Sequence, residues 1–270
     1  MTHSMQVLAG GLALVLAGAC GPSSGGDDGA DAAAIDARPI DAVAIDSPDA
    51  PPPPDVTVTI TADNAYSFGY GDAAGINTYI QGTRAQSAGE IFNCGVGPET
   101  YVVPAASAPD TAYLYVVSWD DLAVTQGVLG QFKRGGAALY TGDDAWEVCA
   151  TGVDLAQSQV GPTQAEVNTQ IAICTAGTGA DATTSSGWVN RMGPVTTGAI
   201  GTVAIGEAND VAPGGDFPGV CVDMAGGIDH GAHWMWFNPG GIANPFHSTG
   251  SNTFRAYLIF RLPAIEIPIP

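Results

Sequence analysis

The sequence predicts an all-β sandwich with one short inserted helix, and three observations lead there. Alternating β-branched and polar residues begin at Val56-Thr57-Val58-Thr59-Ile60-Thr61. Short apolar runs separated by Gly, Asp and Pro continue from there through residue 270. Only 162–174 carries a helix-start signal. About ten short strands with glycine-rich turns suit two packed sheets better than an alternating α/β arrangement.

Each element has its own reason. Val56–Thr61 puts apolar side chains on one face and threonines on the other, the pattern of a half-buried strand. Asn64–Tyr70 and Ile76–Ile80 are short strands bounded by Gly and Asp. Ala112-Tyr113-Leu114-Tyr115-Val116-Val117 is apolar throughout and predicts a central strand covered on both faces. Gly127–Phe132 and Ala145–Cys149 follow after turns. Pro162–Cys174 opens on a proline suited to a first helical turn and predicts the one helix. Ala232, Trp234 and Trp236 alternate with His233, Met235 and Phe237. In the last strand Phe254, Ala256, Leu258, Phe260 and Leu262 are expected in the core, with Arg255 and Arg261 outside.

The first 55 residues have a different composition. Val7–Ala19 is apolar or small throughout, the size of a signal-peptide core and too short to span a bilayer. It leads to Leu16-Ala17-Gly18-Ala19-Cys20, which resembles a bacterial lipobox, with Ala17 where leucine is usual. The resemblance implies cleavage after residue 19, a lipid on Cys20 and an extracytoplasmic, membrane-anchored chain. Gly21 after that cysteine, by resemblance to lipoprotein sorting, points to the outer membrane. Residues 20–55 are expected to be a disordered acidic tether. Ile35-Asp36-Ala37, Ile40-Asp41-Ala42 and Ile45-Asp46-Ser47 repeat at a spacing that lines up neither a helix face nor a strand face, and Pro51–Pro54 close the segment. The domains are therefore signal segment 1–19, tether 20–55 and sandwich 56–270.

The chain carries 27 Asp and Glu against seven Lys and Arg, a net charge of −20. Such a surface repels phosphate backbones and anionic headgroups, which excludes electrostatic nucleic-acid binding; membrane contact is expected through the lipid anchor alone. Beyond Cys20 four cysteines remain: Cys94, Cys149, Cys174 and Cys221. An even set in an exported chain implies two disulfides among three possible pairings. The preferred pairing is Cys149–Cys174, tying the helix to the preceding strand, with Cys94–Cys221 across the sandwich. No Cys-x-x-Cys spacing points to zinc.

Several short motifs fall in a familiar order. Asp63-Asn64-Ala65-Tyr66 follows the first strand, Tyr113–Val117 leads into Trp119-Asp120-Asp121, Gln126–Gly130 comes next, and Ala232–Trp236 precedes Phe254-Arg255. This layout resembles the jelly-roll sandwiches called galactose-binding-like domains, and the lipobox with its Asp-Ala-Pro spacer resembles myxobacterial predicted lipoproteins. The resemblance implies a jelly-roll-like fold that binds carbohydrate or cell-surface glycan, often with a structural calcium. The inserted helix and the lack of a recognisable calcium loop depart from the pattern.

The candidate residues each carry two readings. Trp119, Asp120 and Asp121 either close a core strand with a polar turn, the favoured reading, or present an aromatic face beside carboxylates that suits a sugar ring. Asp63, Asn64 and Tyr66 either form an Asx-turn, again favoured, or supply hard oxygen ligands and a platform. His230 and His233, with Asp229, Asp223 and His247 nearby in sequence, are the nearest approach to a metal set and need a loop at Gly231 to converge. No His-Glu-x-x-His, phosphate loop or dinucleotide fingerprint is present, and Glu207 with Asp210 or Asp120 with Asp121 are commonplace acid pairs. The expectation is a non-enzymatic glycan-binding module. A structural or adhesive surface lipoprotein and a metal-dependent hydrolase are the alternatives.

Overall fold

The computed structural model describes residues 52–178, 187–210, 215–247 and 255–270. The expected signal segment, Cys20 and the tether up to residue 51 lie outside the described residues, as does Phe254. In chain order the elements are β1 (Val56–Asp63), β2 (Ala65–Asp72), β3 (Gly75–Ile80), α1 (Gly89–Phe92), β4 (Glu99–Val103) and β5 (Tyr113–Trp119). Then come β6 (Gly127–Arg134), β7 (Ala137–Tyr140), β8 (Glu147–Asp154), α2 (Gln164–Ala176), β9 (Val189–Asn190) and β10 (Gly193–Pro194). The chain finishes with β11 (Thr202–Ala208), β12 (His233–Asn238) and β13 (Ala256–Pro263).

These strands form two antiparallel sheets. The first runs β11-β12-β6-β1-β4 with β7 beside β6, and the second runs β10-β9-β8-β13-β5-β2-β3. The fold is thus an all-β sandwich, and among the described residues one helix, α2, is longer than a single turn. Between the sheets lie Val56, Val58 and Ile60 of β1, Leu114 and Val116 of β5, Phe132, Trp234, Trp236, and Leu258, Phe260 and Leu262 of β13. Fully burying an aliphatic or phenyl side chain contributes about 1.5–3 kcal/mol, so this layer dominates the stability.

A second apolar layer covers the outer face of the second sheet. The odd-numbered residues Tyr115, Val117 and Trp119 of β5, with Tyr257 and Ile259 of β13 and Cys149 of β8, pack with Val167, Ile171 and Cys174 of α2. This is why the run at 112–117 is apolar throughout: both faces of β5 are covered. The helix starts at Thr163, whose hydroxyl accepts from the Glu166 N–H while the Glu166 carboxylate accepts from the Thr163 N–H. It ends at Gly177, in the left-handed region at φ 67°. The disulfide Cys149–Cys174 ties it to β8, and Cys94–Cys221 joins two loops of the domain. Both are the pairs preferred from the sequence.

The second layer also corrects one expectation. Arg255 is exposed, but Arg261 is 8% exposed and not on the outside. Its guanidinium lies 3.8 Å from the Trp188 ring centroid and 4.9 Å from that of Tyr113, and its Nε donates to Glu147 at 2.6 Å. Strand alternation does put Arg261 on the face away from the inter-sheet core. That face, however, is itself roofed by α2 and the segment around Trp188.

Candidate functional site

The sandwich brings β2, second from the edge of one sheet, close to β4 at the edge of the other, and a cleft opens there. Its volume is about 270 Å³, and its wall includes Asn64, Tyr66, Arg84, Glu90, Glu99 and Tyr101. Tyr66 comes from β2, while Glu99 and Tyr101 share one face of β4, two residues apart. Antiparallel pairing sets Glu99 opposite Ile60 and Tyr101 opposite Val58 on β1. α1 brings Glu90 to the rim, held by Thr61, whose hydroxyl donates to the Ile91 carbonyl at 2.7 Å.

The polar groups of the cleft form one network. Glu99 Oε2 accepts from the Tyr66 hydroxyl at 2.5 Å and from the Tyr101 hydroxyl at 2.7 Å, and the two phenolic oxygens are 3.0 Å apart. The Tyr101 ring also stacks on Phe68 with centroids 4.9 Å apart, which fixes its orientation. Burial is the main cause that holds both phenols well above their ordinary range, reinforced by the Glu99 carboxylate. Both therefore remain hydroxyl donors at any physiological pH. Arg84 on the rim pairs with Asp121 at 3.4 Å. Tyrosine edges, carboxylates and an amide in a concave site match groups that recognise polyols by hydrogen bonding.

Behind the cleft lies a buried acidic pair. Asp63 ends β1 and accepts from the Thr125 hydroxyl through Oδ2 at 2.5 Å. Asp120 follows β5 and accepts from the Leu122 N–H through Oδ2 at 2.8 Å, while its Oδ1 is buried with no hydrogen-bond partner among the described residues. Desolvation pushes Asp63 up to about 6 and Asp120 up to about 7, and in each case the Asp121 charge adds to the rise. Asn64 connects this pair to the cleft, since it lines the cleft and its Oδ1 accepts from the Asp121 N–H at 3.4 Å.

The structure separates the sequence candidates. Asn64 and Tyr66 line the cleft, and Asp121 touches it through Arg84. Asp63 and Asp120 are only 5% and 2% exposed and face the interior. Trp119 is not a platform: it is fully buried in the layer beneath α2, and its Nε1 donates to the Ser158 carbonyl at 3.0 Å. The sugar-stacking reading of Trp119 is corrected for that reason. Trp146, Trp188, Trp234 and Trp236 are equally buried, so the aromatic groups at the cleft are tyrosines.

The three late histidines each bond elsewhere. His230 pairs with Asp223 at 2.9 Å, His233 Nδ1 lies 3.0 Å from the Gly206 carbonyl, and His247 pairs with Asp216 at 2.8 Å. Among the described residues no group of three or more His, Cys, Asp or Glu is arranged to hold a metal ion. Nor is any helix among them long and apolar enough to cross a membrane.

Arg84, Glu90, Glu99 and Tyr101 escaped the reading of the sequence. The available signal was Glu99-Thr100-Tyr101 after the turn Gly95-Val96-Gly97-Pro98, which puts an acid and an aromatic on one face of a strand. Compared with known proteins, the chain matches no family model, no curated protein and no solved structure.

Proposed function

We propose that this chain is a lipid-anchored extracytoplasmic binding module whose cleft between β2 and β4 takes a carbohydrate or cell-surface glycan. The observation that carries the reading is the Tyr66–Glu99–Tyr101 network on the wall of a concave site of about 270 Å³. A fixed set of hydroxyl, carboxylate and amide groups selects a ligand rich in hydroxyls, since each group left unpaired on binding costs affinity. The lipobox-like Leu16–Cys20 and the acidic, proline-closed composition of residues 20–55 supply the anchoring part of the reading.

Binding to an array of neutral, amino and acidic glycans, cell-wall polysaccharides included, tests the binding part. Tyr101→Phe keeps the ring on Phe68 and removes the hydroxyl, and it is expected to weaken binding about tenfold. Absence of binding to every glycan overturns the reading. For the anchor, Cys20→Ser is expected to move the chain from the membrane fraction to the soluble fraction and to abolish incorporation of labelled fatty acid. Unchanged labelling overturns it.

A further inference from the structure

We propose that the ligand of this cleft is cationic: a glycan of amino sugars whose ammonium group sits against Glu99 and Glu90. The inference rests on the glycan reading above and adds the charge class of the ligand. Two independent observations carry it.

The first is what the cleft offers. Glu90 and Glu99 both stand on its wall, and both are exposed to solvent. Glu99 is engaged through Oε2 by the two tyrosine hydroxyls, and Glu90 Oε2 accepts from the Gln86 N–H at 2.6 Å. Because both phenols donate to Glu99, their oxygens present lone pairs to a ligand donor. An ammonium group supplies donors and no acceptor, which matches carboxylate and phenolic oxygens and mismatches no group of that network.

The second is what the molecule withholds from an anion. The described residues contain Lys133 and five arginines. Arg84 pairs with Asp121, Lys133 with Asp229, Arg191 with Asp144, Arg255 with Asp154 and Arg261 with Glu147. Arg134 is 2% exposed and donates to the Ala108 and Ala264 carbonyls. Each of these cations has an acidic or carbonyl partner, Arg134 and Arg261 in the interior and Arg191 and Arg255 in exposed pairs. The single cation at the cleft, Arg84, is already neutralised by Asp121. In a chain of net charge −20, an acidic ligand meets repulsion and, at the cleft, a guanidinium already paired with Asp121, whereas a cationic one meets attraction at long and short range.

Calorimetric titration of the full chain with three oligosaccharides of one length tests this: a β-1,4-glucosamine tetramer, its fully N-acetylated form and a uronic-acid tetramer. The amino form is expected to bind at least tenfold more tightly than the acetylated one at low salt, with no detectable binding of the uronic acid. Its advantage should shrink as salt rises. Glu99→Gln and Glu90→Gln should each cut the preference for the amino form over the acetylated form to less than twofold. Unchanged thermal unfolding of the variants confirms that folding is intact. Equal or tighter binding of the acetylated or uronic form overturns the charge inference and leaves the glycan reading standing. Binding of spermine, a polyamine without sugar, in the absence of binding to any of the three tetramers overturns the glycan reading instead. Failure of all four ligands overturns both.

Discussion

Asp120→Asn should stabilise this protein at pH 8 and not at pH 4. Asp120 is 2% exposed and its Oδ1 has no partner among the described residues, so the backbone N–H bonds from Leu122 and Asp121 offset only part of the cost of its buried charge. Burial lifts its pKa from 3.8 to about 7. At 1.36 kcal/mol per pKa unit, the roughly three-unit difference corresponds to about 4 kcal/mol lost when the folded carboxylate is ionised. The direction follows from proton binding. Below pH 3.8 the folded and unfolded chains both hold the proton, and the group costs nothing. As the pH rises from 3.8 to about 7 the unfolded chain gives up its proton first, so stability falls, and above 7 the penalty is complete. Asparagine removes the charge, and its oxygen still accepts from the Leu122 N–H. Its amide hydrogens then stand where Oδ1 had no partner, at a cost of about 1–2 kcal/mol. A net gain of about 2 kcal/mol remains at pH 8, or roughly 4–8 °C in Tm for a domain of this size. Scanning calorimetry from pH 4 to pH 8 measures it. An equal increment at both ends of the range, or a loss at pH 8, would refute the assignment of Asp120 as a desolvated carboxylate.

Two further outcomes follow from the packing. Replacing Cys149 and Cys174 together by alanine removes a crosslink closing a segment of sequence separation 25 and should cost about 3 kcal/mol in denaturant unfolding, with α2 losing amide-exchange protection first. A cost under 1 kcal/mol would show that the outer layer holds α2 without the bond. Trp119→Ala empties a fully buried site under α2 and should cost about 3–5 kcal/mol, while the glycan affinity proposed above stays the same in the folded fraction. A selective loss of affinity with stability intact would return Trp119 to the binding surface.

Local chemistry made much of the architecture legible. Pro162 marked the start of α2 to within two residues; the helix begins at Gln164, where Thr163 and Glu166 form a capping box that the reading of the sequence did not name. The unbroken apolar run Tyr113–Val117 declares a strand with two covered faces, since exposed apolar side chains on either face would be unfavourable. The layout around Asp63-Asn64-Ala65-Tyr66 led to one wall of the cleft, but its opposite wall stayed hidden. Tyr66 meets Glu99 and Tyr101 across 33 and 35 residues, and no periodicity within either strand records that meeting.

The amino-acid sequence alone determined the two-sheet class, the position of the longer helix, the excess of negative charge and the even set of cysteines beyond Cys20, because each follows from local propensity, composition or parity. Which cysteines pair, among three possibilities, was left to the tertiary structure. Tertiary structure decided which side of a strand counts as outside. Arg261 alternates away from the inter-sheet core yet lies under Trp188, and Trp119 ends a strand yet is sealed beneath α2. It also decided that β2 and β4, from different sheets, face one cleft where tyrosines and carboxylates converge. The physical reason is that burial and charge pairing depend on neighbours brought from distant parts of the chain, while strand and helix preference depend on neighbours a few residues away.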